Sequence, residues 1–316
     1  MRIVSEAEVR RTLEPAKVIA AIEEAFRNHH QTAVAPTRLQ QPLGKNGTLL
    51  LMPCYDSSYG ASGLKIVTVA EQRPGGGDRV QATYLLLDVE SGQPELLVAA
   101  NYFTDLRTAA TSALATKYLA RPGGRTLGIF GTGRQARAHA AVLSQVMQAE
   151  RMLVCGSSRE RSSGFAQQMS LELGIKCEAV DAATCAAQSD VICTCTTSAL
   201  PLFAGELLQP GTHLNLVGAF QPHTREVDDQ TVRRAGVVVD TYEGALAEAG
   251  DLLVPLRSGV IGKNHIIADL HEIASGKKTG RTRADDITLF KSVGCALEDL
   301  VTARLAFSSQ HSAFSP

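Results

Sequence analysis

The stretch GIFGTGRQARA, Gly128 to Ala138, constrains this chain more than any other. An apolar strand-like run meets a helix-like run through Gly131-x-Gly133-x-x-Ala136. Gly131 suits a tight turn, Gly133 lets backbone approach a pyrophosphate, and Ala136 permits close packing of helix on strand. The helix start adds free N–H groups and the positive end of a helix dipole. Gly131, Thr132, Gly133, Arg134, Gln135 and Ala136 are therefore read as a dinucleotide loop. A plain strand-to-helix turn produces the same letters, so context has to decide.

The context is an alternation. FTDLRTAATSALATKYLARPGG reads as a helix capped by Thr104 or Asp105 and stopped at Arg121-Pro122-Gly123-Gly124. Strand RTLGIFG, helix RQARAHAAVLSQVMQ, strand RMLVCG and helix RERSSGFAQQMSLEL follow, then strands KCEAV, SDVICTC, HLNLVGA and GVVVDT. Strand and helix in turn predict a parallel sheet covered on both faces. Upstream, Glu14 to His30 carries Val18, Ile22, Ala25 and Phe26 at helical spacing. After it, TLLLMPCYD, SGLKIVTVAEQ and VQATYLLLDVESGQPELLVAA, separated by the turns GGGD and ESGQ, predict an antiparallel sheet with one leading helix. ITLFKSVGCALEDLVTARLAF reads as a final helix and SSQHSAFSP as a frayed tail. At 316 residues, two domains are expected.

The strand after the glycine loop ends in Gly156-Ser157-Ser158-Arg159, with no carboxylate before Glu160. An NAD site usually places an acid there for the ribose 2′-hydroxyl, whereas Ser157, Ser158 and Arg159 suit a 2′-phosphate. NADPH is thus favoured, with NADH admitted.

Composition excludes other classes. A net charge of -1 and pI near 6.7 give no electrostatic footprint for nucleic acid. MRIVSEAEVRRTLEP lacks the apolar core of a signal peptide and no stretch is long enough for a membrane span, so a cytoplasmic protein is expected. Seven scattered cysteines suit a reducing compartment. Cys193 and Cys195 form a C-x-C pair, which argues against zinc or redox chemistry, and the eight histidines show no metal spacing; no metal is expected.

Lys65, in SGLKIVTVA, has apolar neighbours on both strand faces. A buried unpaired ammonium costs several kcal/mol, so Lys65 must be paired, held for chemistry, or exposed at an edge, the last being the commoner reason. Arg38 and Arg107 are two further cations near element ends, and converging with Lys65 they could hold an amino or imino acid by its carboxylate.

Taken together, Met52-Pro53, Gly63-x-Lys65, LRTAATSA from Leu106, GTGRQA from Gly131, LNLVGA followed by Pro222 and Arg225-Glu226, and ITLFKSVG from Ile287 resemble the ornithine cyclodeaminase/mu-crystallin family in order and spacing. The resemblance covers nearly the whole chain. It implies an α/β fold: a Rossmann-type doubly wound parallel sheet over residues 117–292, and a second α+β substrate and dimerisation domain from 1–116 with 293–316. It also implies homodimers. By motif match, Arg38, Lys65 and Arg107 fall in the substrate and catalytic cluster. Thr108, the 131–136 loop, Thr194, Leu216, Val217 and Ser292 fall at cofactor-contact positions.

Members that cyclise ornithine, and the related alanine dehydrogenases, carry an Asp two residues after the strand-end glycine; here that position is Phe220. A positioned acid or base contributes roughly 10²- to 10⁴-fold to a proton transfer, so its loss argues against cyclodeamination. The expected reaction is NAD(P)H-dependent reduction of a cyclic ketimine, Δ1-pyrroline-2-carboxylate or Δ1-piperideine-2-carboxylate, with Phe220 packing on the ring unless it is a plain packing residue. The alternatives are ornithine cyclodeaminase, alanine dehydrogenase, a cis-3-hydroxyproline dehydratase using Cys54, and a non-catalytic NADPH-dependent binding protein.

Overall fold

The computed structural model describes residues 1–29, 31–45, 47–70 and 79–311. It divides into two units, Met1–Ala110 with Cys295–Pro316, and Thr111–Gly294. The predicted GGGD turn and the last residues of the expected tail lie outside the described residues.

The first unit holds β1 (Arg2–Val4), β2 (Ala33–Val34), β3 (Leu39–Leu43), β4 (Gly47–Asp56), β5 (Ala61–Ala70), β6 (Val80–Asp88) and β7 (Pro94–Ala99), in the order β1-β7-β6-β5-β4-β2 with β3 on β4. Beside them stand α1 (Glu6–Thr12), α2 (Pro15–Glu24, continued by a π turn over Ala25–His29) and the start of α3 (Asn101–Leu119). The sheet is mixed, not antiparallel throughout, because β1 pairs parallel to β7. Two helices lead it rather than one. The missed signal for α1 was Ser5-x-x-Glu8, whose side chains cap reciprocally. α3 starts before Thr104 and Asp105: the Thr104 amide already donates to the Ala100 carbonyl (3.0 Å), and its hydroxyl donates to the same oxygen (2.7 Å) instead of accepting as a cap.

The second unit carries β8 (Thr126–Phe130), β9 (Arg151–Cys155), β10 (Lys176–Ala179), β11 (Val191–Thr194), β12 (His213–Leu216), β13 (Ala235–Val239), β14 (Ile266–Asp269) and β15 (Ile287–Lys291). Every pairing is parallel, in the order β10-β9-β8-β11-β12-β15-β13-β14. Its first five positions follow the doubly wound order, which reverses between β8 and β11, and β15 rather than the next strand in sequence takes the sixth place. The helices are α4 (Arg134–Val146), α5 (Arg159–Leu173), α6 (Ala182–Gln188), α7 (Asp229–Arg234), α8 (Tyr242–Glu248), α9 (Gly250–Arg257) and α10 (Leu270–Ala274). Phe130, Leu153, Ile192, Leu214, Val237 and Leu289 build the core from the strands.

One expected element divides. Ile287–Lys291 is a fully buried interior strand, Gly294 turns the chain at φ 81°, and α11 (Ala296–His311) follows in the first unit. A short apolar run cannot be assigned to strand or helix by periodicity alone. The helix also takes in Ser308 to His311, expected as tail.

Candidate active site

Lys65 is not an edge residue. β5 lies between β4 and β6, its alternation turns Lys65 inward, and the side chain is 1% exposed. Its Nζ stands 2.7–2.8 Å from the two carboxylate oxygens of Asp299 on α11. Arg107, on α3, donates from Nη1 to Glu298 (2.7 Å) and sets Nε 2.9 Å from Asp299. Two cations and two anions thus neutralise one another, which is what keeps four buried charges tolerable. Burial, then the Arg107 charge and, least, Arg38, pull the Lys65 pKa down to about 8 against the opposing pull of Asp299. Burial also works against the Arg107 charge, but Asp299 and Glu298 outweigh it and hold that guanidinium above its ordinary value. Arg38, half-buried just before β3, is therefore within electrostatic reach of Lys65. Lys65 and Arg107 share Asp299, and Arg38 belongs to the same unit.

Glu298 and Asp299 were missed in the sequence. Their signal was an adjacent acid pair inside ALEDLVTARLAF, where both carboxylates end fully buried. Tyr84 was missed too. It pairs with Lys65 across β5 and β6, and a Cβ at Gly63 would overlap its hydroxyl, which explains the glycine of Gly63-x-Lys65. Burial, with Asp299 and Cys54 nearby, holds the Tyr84 hydroxyl well above its ordinary pKa and thus protonated. Cys54 is buried, and burial together with Asp56 and Asp299 pushes its thiol up to about 12. Such a thiol stays protonated at neutral pH, a poor base for a dehydratase. The Thr108 hydroxyl donates to the Thr104 carbonyl (2.7 Å).

In the second unit, Gly131 has φ 113° and a Cβ there would lie 2.6 Å from the Cys195 carbonyl oxygen, so only glycine fits. At Gly133, the N-cap of α4, a Cβ would meet nothing within 4 Å and no side chain caps the helix. Ala136 is fully buried. Thr132, Arg134 and Gln135 are half-buried along the loop. Ser158 caps α5 by accepting the Arg161 amide, while Ser157 and Arg159 are exposed beside it at the end of β9.

The loop from Val217 to Glu226 is held by a buried carboxylate. Glu226 accepts from the Thr194 hydroxyl (2.7 Å), the Thr196 amide and hydroxyl (both 2.8 Å), and the amides of Gly218 (2.8 Å) and Ala219 (3.2 Å). Asp251 accepts the amides of Glu226 and Val227, and Lys291 pairs with Asp251 at 3.0 Å while donating to the Ala219 carbonyl. Burial, then Asp251, raises the Glu226 pKa. Phe220, next to this anchor, is half-buried. β12 ends at Leu216, two residues before Gly218; the Leu216 side chain lies in the core and its carbonyl accepts the Ser292 amide (3.1 Å). The Ser292 hydroxyl is taken by Asp240 (3.2 Å), and the Val217 amide by the Thr194 carbonyl (3.1 Å).

A cleft of about 360 Å³ in this unit is lined by Arg121, Gly124, Arg125, Met147 and Val191. It opens at the amino ends of β8 and β11, whereas dinucleotides in such sheets bind at the carboxyl ends.

A sequence model of the ornithine cyclodeaminase/mu-crystallin family matches residues 1–313. The chain is 35% identical over 312 residues to a Delta(1)-pyrroline-2-carboxylate reductase of Bacillus cereus, covering 97% of this chain and 96% of that protein. It is 37% identical over 276 residues to the ketimine reductase mu-crystallin of Rattus norvegicus, covering 87% and 84%. Among solved structures, Thermococcus litoralis Delta(1)-pyrroline-2-carboxylate reductase in complex with NADH and L-proline superposes with a TM-score of 0.94 at 36% identity, covering 99% and 98%.

Proposed function

The chain belongs to the ornithine cyclodeaminase/mu-crystallin family, and from that premise we propose that it is an NAD(P)H-dependent reductase of cyclic imino acids. Its substrates are Δ1-pyrroline-2-carboxylate and Δ1-piperideine-2-carboxylate, its products L-proline and L-pipecolate. The observation that carries the proposal is Lys65, a buried amine with its pKa lowered to about 8 between two arginines.

The second unit fits a dinucleotide: backbone space at Gly133, at the N-terminus of α4, suits the pyrophosphate. Gly131, Thr132, Gly133, Arg134, Gln135 and Ala136 would hold it there, Ser157, Ser158 and Arg159 the adenosine ribose, and Thr194, Leu216, Val217 and Ser292 the remainder. A reduced nicotinamide bound there would supply the hydride that reduction of the C=N bond needs. Arg38 and Arg107 bind the substrate carboxylate, and Lys65 gives a proton to the imine nitrogen, so that C=N becomes CH–NH. Asp299 holds the Lys65 amine in place through the transfer. Phe220 puts a hydrocarbon where the ornithine-cyclising members carry an Asp, which favours reduction over cyclodeamination.

The test is a panel of five- and six-membered cyclic imines, ornithine, pyruvate with ammonia, and cis-3-hydroxyproline, each with NADH and NADPH. Nicotinamide oxidation with the cyclic imines and none with ornithine is expected. Turnover of hydroxyproline with no change in nicotinamide absorbance, or tight NADPH binding with every substrate untouched, would overturn the proposal.

Arg159 supports NADPH as the preferred cofactor. Arg159→Ala is expected to lower the NADPH-to-NADH ratio of kcat/KM on the order of ten- to a hundredfold, the worth of a charge-assisted hydrogen bond. An unchanged ratio removes Arg159 from cofactor choice. Exposed Val34, Leu39, Leu43 and Tyr55 on β2, β3 and β4 favour a homodimer through this sheet edge. Sedimentation equilibrium should return twice the 33.6 kDa chain mass; the single-chain mass would refute it. All seven cysteines are free, which favours the cytoplasm.

A further inference from the structure

We propose that His139, Cys193 and Cys195 form a binding site for a soft divalent cation of the zinc and cadmium class, at the switch point of the second unit's sheet. The C-x-C spacing argued against a metal when two cysteines were all that could be counted. Folding supplies the third donor. Strand alternation sends Cys193 and Cys195 to one face and Thr194 to the other, where Thr194 meets Glu226. α4 brings His139 to the cysteine face, and one donor atom from each of the three residues lies within 4.8 Å of the others.

The separations suit tetrahedral coordination. The two sulfurs are 3.5 Å apart; metal–sulfur bonds of about 2.3 Å at tetrahedral angles set two thiolates about 3.8 Å apart. His139 Nδ1 is 2.8 Å from the Gln135 carbonyl, which can only accept, so the proton sits on Nδ1 and Nε2 presents its lone pair. A metal-binding imidazole is usually oriented by such a bond. Nε2 now receives the Ser112 hydroxyl at 3.0 Å, and on binding that oxygen is freed to become a fourth donor. His139 and Cys193 are fully buried, and Cys195 is half-buried. Binding releases the two thiol protons, and the cation neutralises the two thiolates; no electron moves. Because Cys195 also packs on Gly131, the site ties β11 and α4 together directly under the dinucleotide loop.

The experiment is titration of the full, reduced chain with Cd(II), read by thiolate-to-cadmium charge-transfer absorbance, with Zn(II) as competitor. One saturable equivalent per chain, displaced by Zn(II), is expected. Cys193→Ser, Cys195→Ser and His139→Asn should each weaken it by more than the roughly 10- to 100-fold that loss of an outer partner costs. Cys177→Ser, on β10, should leave it unchanged. An undiminished band in the double variant Cys193→Ser/Cys195→Ser, or no saturable band in the reduced wild type, would overturn the site. Neither readout involves turnover, so the cation site and the reductase activity stand or fall separately.

Discussion

Lys65→Ala is expected to lower kcat for cyclic imine reduction by about 10²- to 10⁴-fold while leaving dinucleotide affinity unchanged. The substitution removes the proposed proton donor and keeps the fold, because Asp299 retains Arg107 at 2.9 Å and is not left as an orphaned charge. Lys65→Met, which fills the cavity, should behave alike. The pH profile separates chemistry from packing. Burial lowers the Lys65 pKa to about 8, so the amine is charged below that value and neutral above it. In the wild type, kcat/KM for reduction should hold toward neutral pH and fall as pH rises through about 8. In the variants that limb should vanish. A kcat within a few-fold of wild type, with the limb intact, would show that the proton comes from elsewhere.

Lys291→Met carries the largest expected cost in stability. Lys291, Asp251 and Glu226 are all fully buried, and this lysine is the cation paired with Asp251. Removing one partner of a buried pair costs about 3–5 kcal/mol, since the remaining charge stays desolvated and uncompensated. For a unit of this size that is roughly 6–20 °C in melting temperature. The deficit should shrink on acidification. Burial and Asp251 hold the Glu226 pKa above its ordinary value, so Glu226 takes up its proton early as pH falls and the excess negative charge is relieved. Thermal melts of wild type and variant across acidic to neutral pH measure this. Equal melting temperatures at neutral pH would mean that the carboxylates are neutralised in some other way. The Gly218–Ala219 turn depends on the same network, so the variant should also bind dinucleotide more weakly.

The glycine loop was legible because its demands are local. A positive φ at Gly131, open space at Gly133 and a small side chain at Ala136 are requirements on single residues, and each leaves its own letter. The β-α alternation from Thr126 to Val239 was legible for a similar reason, since period and length differ between the two element types. Ile287–Lys291 was not. Five apolar-flanked residues fit either element, and what makes them a strand is their place between β12 and β13, far away in sequence.

The sequence alone determined the class of protein: a dinucleotide loop in a doubly wound sheet, a lysine and two arginines suited to a carboxylate, and a hydrocarbon at position 220. Only the tertiary structure decided what those charges meet. Lys65 reads as an edge lysine until β6 covers one side of its strand and α11, more than two hundred residues later, delivers Asp299. Cys193 and Cys195 read as inert until α4 brings His139 to them. The reason is physical. Turn geometry and periodicity act over a few residues, whereas the pKa of a buried amine and the donor set of a cation site depend on groups that only packing brings together.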